Sequence, residues 1–564
     1  MVKIFNKKAI KIYNYIIICL LILIFEFGFC NAQFTHSKLT HIETEGFYFS
    51  LCRGTMYIIT IIGLIFINKS AIIDKIEESF TNKTKKRIFL VYLIANSIIM
   101  VYFTYVFLIK QDISLIHYSI ISITSLLLLL STIYITNNYY TNIIALFLLS
   151  IIFCITVNGY HVLDEKRHFM SAYNVSYGNI KFDKQIVDKQ FMEELPMGIH
   201  YTEFTRFFKE KYKFEEGHLP EEGTVDSTPA GYNPLIYVPS AIGILIGRIL
   251  QGSVADIFLM GRLFNLLGYM VLVLLTIKVI PYKKNLVMII MSIPIFLCFS
   301  ATYSIDGIGI GLVSLFIAYC FKLRESDISF KDLVNLAIIY TLVLTFKSLS
   351  YAFIGLLVFL LPVKQILCKY LKKIIVLIIV FIIVNVLLFS IQTKITLSDN
   401  RYENVDAGKQ IENILNNPLI LVSVMKNHIL NTLLNWGWIK DFNAPAYFSS
   451  KAENLFIIMI FYYMYVAFKD DSKNFNWKEK ILMIVTFFMV YGFTSGILYL
   501  GCTPVGAHAV GGYQDRYIFP VITLIMCILS NNTLKQNNDD NFLVKTTTVQ
   551  IMFMYLDIIG TILK

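Results

Sequence analysis

Charge is what this chain has least of. Of its 564 residues 15% are Asp, Glu, Lys or Arg and 56% are hydrophobic, where a soluble domain carries about 25% charged residues. With a mean hydropathy of +0.65, the chain dissolves in lipid, which excludes an ordinary soluble enzyme. Twelve prolines and twenty-eight glycines, without period, exclude collagenous and low-complexity chains. The nine cysteines form no CxxC pair and the nine histidines no HxxxH or HExxH, so the spacing of a zinc site is missing. There is no Walker-type phosphate loop and no GxGxxG, which excludes an ATP-driven pump in a single chain.

Long apolar runs are what is there. A membrane span needs about 20 apolar residues. Candidate runs lie at 10–30, 51–68, 88–109, 113–136, 143–160, 258–280, 286–303, 307–323, 332–346, 349–362, 374–391, 453–468, 480–500, 516–531 and 546–563. The expectation is an all-α, polytopic membrane protein with about 14–15 transmembrane helices. The first run follows Lys3, Lys7, Lys8 and Lys11 but carries no small-residue cleavage site, so it reads as an uncleaved span. Three blocks follow: an N-terminal block of about four spans over 1–136, a main module over 137–531, and a last span within 532–564.

The few charges are sorted. Lys278, Lys283 and Lys284; Lys322 and Arg324; Lys364, Lys369, Lys372 and Lys373; Lys469, Lys473, Lys478 and Lys480; and Lys535 and Lys545 sit on short loops. All fall on the cytoplasmic side only if the run 234–250, PLIYVPSAIGILIGRIL, fails to cross. That run therefore reads as a juxtamembrane or re-entrant helix on the outer face. Two large outer segments result, 161–257 and 392–452. The stretch 161–232 holds thirteen acidic and nine basic residues, a net of −4 on a chain whose total is +11. The inner lysines facing anionic lipid account for the positive total, so nucleic acid is not implied as a partner.

Chemistry would then face outward. Asp164 and Glu165 follow the end of a span in HVLDEKRHF; as carboxylates at the membrane edge they read either as bases or as a polar collar on a helix end. Asp306, in the turn SATYSIDG, reads as a site residue or as a helix N-cap. Arg262, Lys347 and Arg516 lie at the same level, and a cation at membrane depth is a natural partner for phosphate. Lys347 has the alternative of snorkelling to the interface. Trp436 and Trp438 in NWGWIKDF read as interfacial anchors or as a platform for a sugar ring. Asp557 and His117, inside apolar runs, read as contacts between helices.

Six motifs in order carry a resemblance: LDEKRHF at 163–169, YNPLIYVPSAIG at 232–243, GRLFN at 261–265, SIDG at 304–307, LNWGWIKDF at 434–442 and YQDRYIFP at 513–520. The chain resembles, over about residues 143–531, a family of bacterial polytopic membrane proteins that bears the name of a domain of unknown function and is regarded as similar to GT-C glycosyltransferases. The family's usual patterns are D-E-P-x-H-F, N-P-P-x-Y-Y, G-R-x-x-N, S-P-D and Q-G-R-Y-F-x-P. Lys166, Leu235, Ile305 and Asp515 stand where the family has proline, proline, proline and glycine; the acid pair and Arg516 are kept.

The resemblance implies a GT-C-like module with outer-face juxtamembrane helices. It implies transfer of a sugar from a polyprenyl-phosphate carrier to an envelope glycan or glycolipid acceptor, at the extracytoplasmic face of the cell membrane. Asp164, with Glu165 as rival, would deprotonate the acceptor. Arg516, Lys347 and Arg262 would bind the donor phosphate, with His168, Asn233, Asp306, Gln514 and Tyr517 in support and Trp436 and Trp438 at the acceptor. Some GT-C enzymes use a divalent metal and others none; no dense carboxylate cluster in this sequence argues for one. A transporter or flippase of lipid-linked or polymeric saccharide is the competing reading. The topology predicts that a cysteine replacing Lys284 reacts with a membrane-impermeant maleimide only after permeabilisation; labelling of intact cells would overturn it.

Overall fold

The computed structural model describes residues 83–110, 121–127, 135–157, 164–181, 232–347, 350–391, 404–434, 455–470, 475–529 and 541–562, with a few single positions between. The first two apolar runs, His117, Trp436 and Trp438 lie outside the described residues. Among the described residues the secondary structure is helical, without a strand. The chain is an all-α polytopic membrane protein.

In chain order the helices are α1 (Lys83–Tyr105), α2 (Tyr139–Thr156), α3 (Glu165–Ser176), α4 (Val238–Ile249), α5 (Val254–Val279), α6 (Lys284–Met291), α7 (Pro294–Ser300), α8 (Asp306–Glu325) and α9 (Phe330–Thr345). There follow α10 (Val363–Ile391), α11 (Ala407–Asn416), α12 (Leu419–Asn431), α13 (Leu455–Lys469), α14 (Trp477–Gly501), α15 (Ile522–Ile528) and α16 (Phe542–Ile562). Short 3₁₀ segments occupy Pro234–Tyr237, Ala352–Leu360 and Asp515–Val521.

Six of the described helices are long and apolar enough to cross a membrane: Arg87–Lys110, Val254–Val279, Asp306–Glu325, Val363–Ile391, Trp477–Gly501 and Phe542–Gly560. Some apolar runs within the described residues do not form one long helix, for local reasons. The run 286–303 breaks into α6 and α7 because Pro294 opens the second helix and has no N–H to continue the first. The run 516–531 begins as 3₁₀ through Pro520. Helix starts are fixed by side chains: Ser253 with Asp256 on α5, Ser329 with Asp332 on α9 and Asn476 with Glu479 on α14 close capping boxes, each satisfying two of the N–H groups a helix start leaves open.

The run 234–250 folds as the 3₁₀ turn plus α4, which lies antiparallel along α5. Glycines permit the close approach. A Cβ at Gly243 would collide with the Met260 carbonyl, and one at Gly268, on α5, with Pro239. The opposite side of α4 leaves Leu235, Val238, Ile242, Leu245 and Ile249 exposed, a stripe at helical spacing suited to lipid. Beyond its lysine-rich first turns, α10 is almost entirely apolar and almost wholly uncovered by protein.

Polar contacts sort the helix ends into two levels. At one, Arg324 at the end of α8 binds Glu479 at the start of α14 by two hydrogen bonds of 2.6 and 2.9 Å. There too the Leu286 N–H donates to Asp470 at 2.8 Å, and Thr546 on α16 donates to Asn285 at 3.0 Å. This is the level of the lysine-rich loops. α8 has twenty residues, about 30 Å of helix, so its start at Asp306 lies a membrane's depth away. Asp164, Lys347 and Arg516 gather at that second level.

Candidate functional site

Asp164 and Glu165 are adjacent in sequence and face different partners. Asp164 is the N-cap of α3 with φ 62°, ψ 9°, a left-handed conformation that costs an L-residue about 1–2 kcal/mol. That turn sends the two carboxylates apart.

Glu165 goes inward. Arg262 on α5 donates to it from Nε (Oε1, 2.9 Å) and Nη2 (Oε2, 2.9 Å), and the Tyr303 N–H adds a third donor at 3.1 Å. Arg262 also donates from Nη1 to the carbonyls of Cys154 (3.0 Å) and Val157 (2.6 Å) at the end of α2. Both side chains are essentially sealed. Arg262 therefore stands apart from its expected role at a phosphate: its fork is occupied by protein, and it ties α2, α3 and α5 together. Its neighbour in GRLFN acts likewise. Asn265, one turn along the same face, donates to the carbonyls of Thr302 (2.7 Å) and Ser304 (3.0 Å) and fixes the turn that presents Asp306. The glycine of the motif is required because a Cβ at Gly261 would strike the Tyr303 hydroxyl.

Asp164 faces the other way, to Arg516 Nη2 at 2.9 Å. The same guanidinium reaches Asp306 Oδ2 through Nη1 at 3.2 Å, and Lys347 Nζ lies 2.5 Å from Asp306 Oδ1. Asp164, Arg516, Asp306 and Lys347 thus form one chain of ion pairs, drawn from segments up to 352 positions apart. Asp306 is the first residue of α8, caps nothing with its side chain beyond its own turn, and gains from the helix dipole as an anion at an N-terminus. Lys347 follows α9 at φ 46°, and its ammonium sits 4.2 Å from the centre of the Tyr517 ring, a cation–π contact. Lys347, Asp306 and Arg516 are buried, whereas the Asp164 side chain is 33% exposed. It is the member of the cluster a ligand can reach.

Burial pushes the Asp164 carboxyl up, but the charge and hydrogen bond of Arg516 outweigh it and hold the group below its usual value. His168, one turn into α3, is pushed down to about 4, chiefly by burial, so its ring is neutral at neutral pH. Nδ1 pairs with the Tyr237 hydroxyl at 2.9 Å, and the ring lies against Tyr232. Asn233 caps the 3₁₀ turn through the Leu235 N–H (3.0 Å) and donates to the Leu388 carbonyl on α10 at 2.8 Å, a holding role. Gln514 precedes Arg516 and accepts from the Tyr517 N–H through its backbone. Tyr232, Tyr237 and Asn265 were not singled out from the sequence. The N-P-L-I-Y and G-R-x-x-N spacings were the signal that could have found them.

A family described as predicted membrane protein (DUF2142) matches residues 146–525. No curated protein and no solved structure matches the chain.

The buried Glu165–Arg262 pair generates a direct test. Arg262→Met strands a carboxylate in a sealed site, a loss of about 3–5 kcal/mol, and should sharply reduce the monodisperse fraction in detergent. Arg262→Met with Glu165→Leu should recover much of it. Equal yield from wild type and Arg262→Met would contradict the pairing.

Proposed function

This chain belongs to the DUF2142 family of predicted membrane proteins, and from that premise we propose that it is a membrane glycosyltransferase. The donor is a sugar on a polyprenyl-phosphate carrier, and the acceptor is a hydroxyl of an envelope glycan or glycolipid. One observation carries the reading: a single reachable carboxylate, Asp164, stands beside two buried cations, Arg516 and Lys347, that share Asp306. A base next to a place for phosphate is the minimum such a transfer requires.

The step balances with these groups. The acceptor O–H gives its proton to the Asp164 carboxylate while its oxygen forms a bond to the anomeric carbon. The bond from that carbon to the phosphate oxygen breaks, and its electron pair stays on the phosphate. Displacement from the opposite side inverts the centre. A phosphate monoester, with a second pKa of about 6, leaves without a general acid, unlike the alkoxide in glycoside hydrolysis. Developing charge on the phosphate is met by Arg516 and Lys347. Glu165, locked to Arg262, supports the fold of the site, which leaves Asp164 as the base.

The lysine-rich level is the cytoplasmic one under the positive-inside rule, so the site opens to the extracytoplasmic side. Fixed in proteoliposomes with a polyprenyl-phosphate sugar and an acceptor, the wild-type chain should release free polyprenyl phosphate. Asp164→Asn should slow release by about 10²–10⁴-fold, the usual contribution of a general base. Movement of the carrier between leaflets without release would instead identify a flippase, and neither outcome a scaffold; either result overturns the transferase.

A further inference from the structure

We propose that Arg516 changes partner during binding: the donor phosphate displaces it from Asp164, so that arrival of the donor is what frees the base. The identity of the ligand rests on the glycosyltransferase reading; the exchange itself rests on the charges and their burial.

The cluster is neutral as built. Asp164 and Asp306 contribute two negative charges, and Arg516 and Lys347 two positive ones. A phosphodiester entering it finds both cations of this ion-pair chain already paired with an acid. One acid has to give way, and the structure distinguishes the two. Asp306 is sealed, holds both cations at once and sits at a helix start. Asp164 is one-third exposed and meets the guanidinium through one hydrogen bond, from Nη2 at 2.9 Å. Asp306 is therefore a positioning residue, the fixed end on which Arg516 stays anchored through Nη1, while Nη2 is the end an incoming phosphate oxygen can take. A guanidinium can serve two acids or one acid and one phosphate because its donors form a planar fork.

The exchange also resolves a conflict in the base. A carboxylate held by an arginine is a weak base, and Asp164 lies below its ordinary range for that reason. When Arg516 turns to phosphate, Asp164 loses a cation and gains an anion as neighbour, and both changes raise its proton affinity. The other charged and titratable groups facing it are Arg167 and His168 on its own helix, Asp306 and Lys347, and the tyrosines 232, 237 and 517. His168 is neutral and the phenols do not titrate near neutrality. The partner change at Arg516 is then the event that sets the proton affinity of Asp164.

The sign follows by linkage. In the free protein Asp164 is ionised throughout the range from about pH 8 to about pH 5, and in the complex its pKa rises, so protonation favours the complex. Binding of citronellyl methyl phosphate, a phosphodiester with one fixed charge, should tighten as pH falls across that range in the full-length protein in detergent. Asp164→Asn removes the competing acid and should bind the probe about tenfold more tightly at the upper pH, the equivalent of one pKa unit, with no slope against pH. Asp164→Gly should match it. Both residues accept the left-handed backbone at this position, so the turn that opens α3 is kept. Binding that is equal or weaker in both variants, or that keeps the wild-type slope, overturns the exchange and leaves the donor reading standing. No binding by wild type at any pH overturns both.

Discussion

A charge taken out of water into a membrane protein has to bring its partner with it. An ion buried alone costs several kcal/mol, and the described structure meets that constraint at both ends of the bundle. At one, Arg324 and Glu479 join α8 to α14. At the other, Arg262 and Glu165 fix three helices, and Arg516 gathers Asp164 and Asp306 with Lys347. These pairs add fixed registration points to the apolar packing, since lipid competes for apolar surface and not for ion pairs. One of these pairings, Asp164 with Arg516, is incompletely buried, and that is what makes the cluster a candidate site.

The helices matched by the family account for only part of this. α16 follows the matched residues and α1 precedes them, yet each is stitched to the rest by polar contacts. Thr546, Thr547, Gln550 and Asp557 on α16 are buried. Gln550 donates to the Ser292 carbonyl at 2.5 Å, Asn142 on α2 donates to Thr547 at 3.1 Å, and Tyr555 donates to Asn96 on α1 at 3.0 Å. Polar side chains between membrane helices act in this way as contacts. The C-terminal helix is thus joined by polar contacts to both α1 and α2.

Much of the fold was legible because lipid enforces simple rules. Long apolar runs and the lysine bias are read by counting, and the run 234–250, expected to lie at the outer face, forms a short helix packed along α5. The breaks in 286–303 and 516–531 were visible as Pro294 and Pro520, yet each run scored as one span because hydropathy is blind to backbone geometry. At the site, sequence order brought Asp164, Asp306, Lys347 and Arg516 forward, and these four do converge. It left Asp164 and Glu165 as rivals, because the left-handed turn at Asp164 that separates their side chains has no sequence signature at an aspartate. It also grouped Arg262 with the phosphate ligands, since the partners that occupy its fork are Glu165 and two backbone carbonyls, 97 to 108 positions away, and no local pattern reports them.

The central claim is that charges from four distant segments form one neutral cluster around Arg516. Neutralising the buried pair tests it most directly. Asp306→Asn and Lys347→Met, each alone, unbalance the cluster and should lower the thermal unfolding midpoint of the purified protein, while the double variant, neutral again, should recover a large part of the loss, a coupling of about 0.5–3 kcal/mol. Additive losses in the double variant would contradict the account.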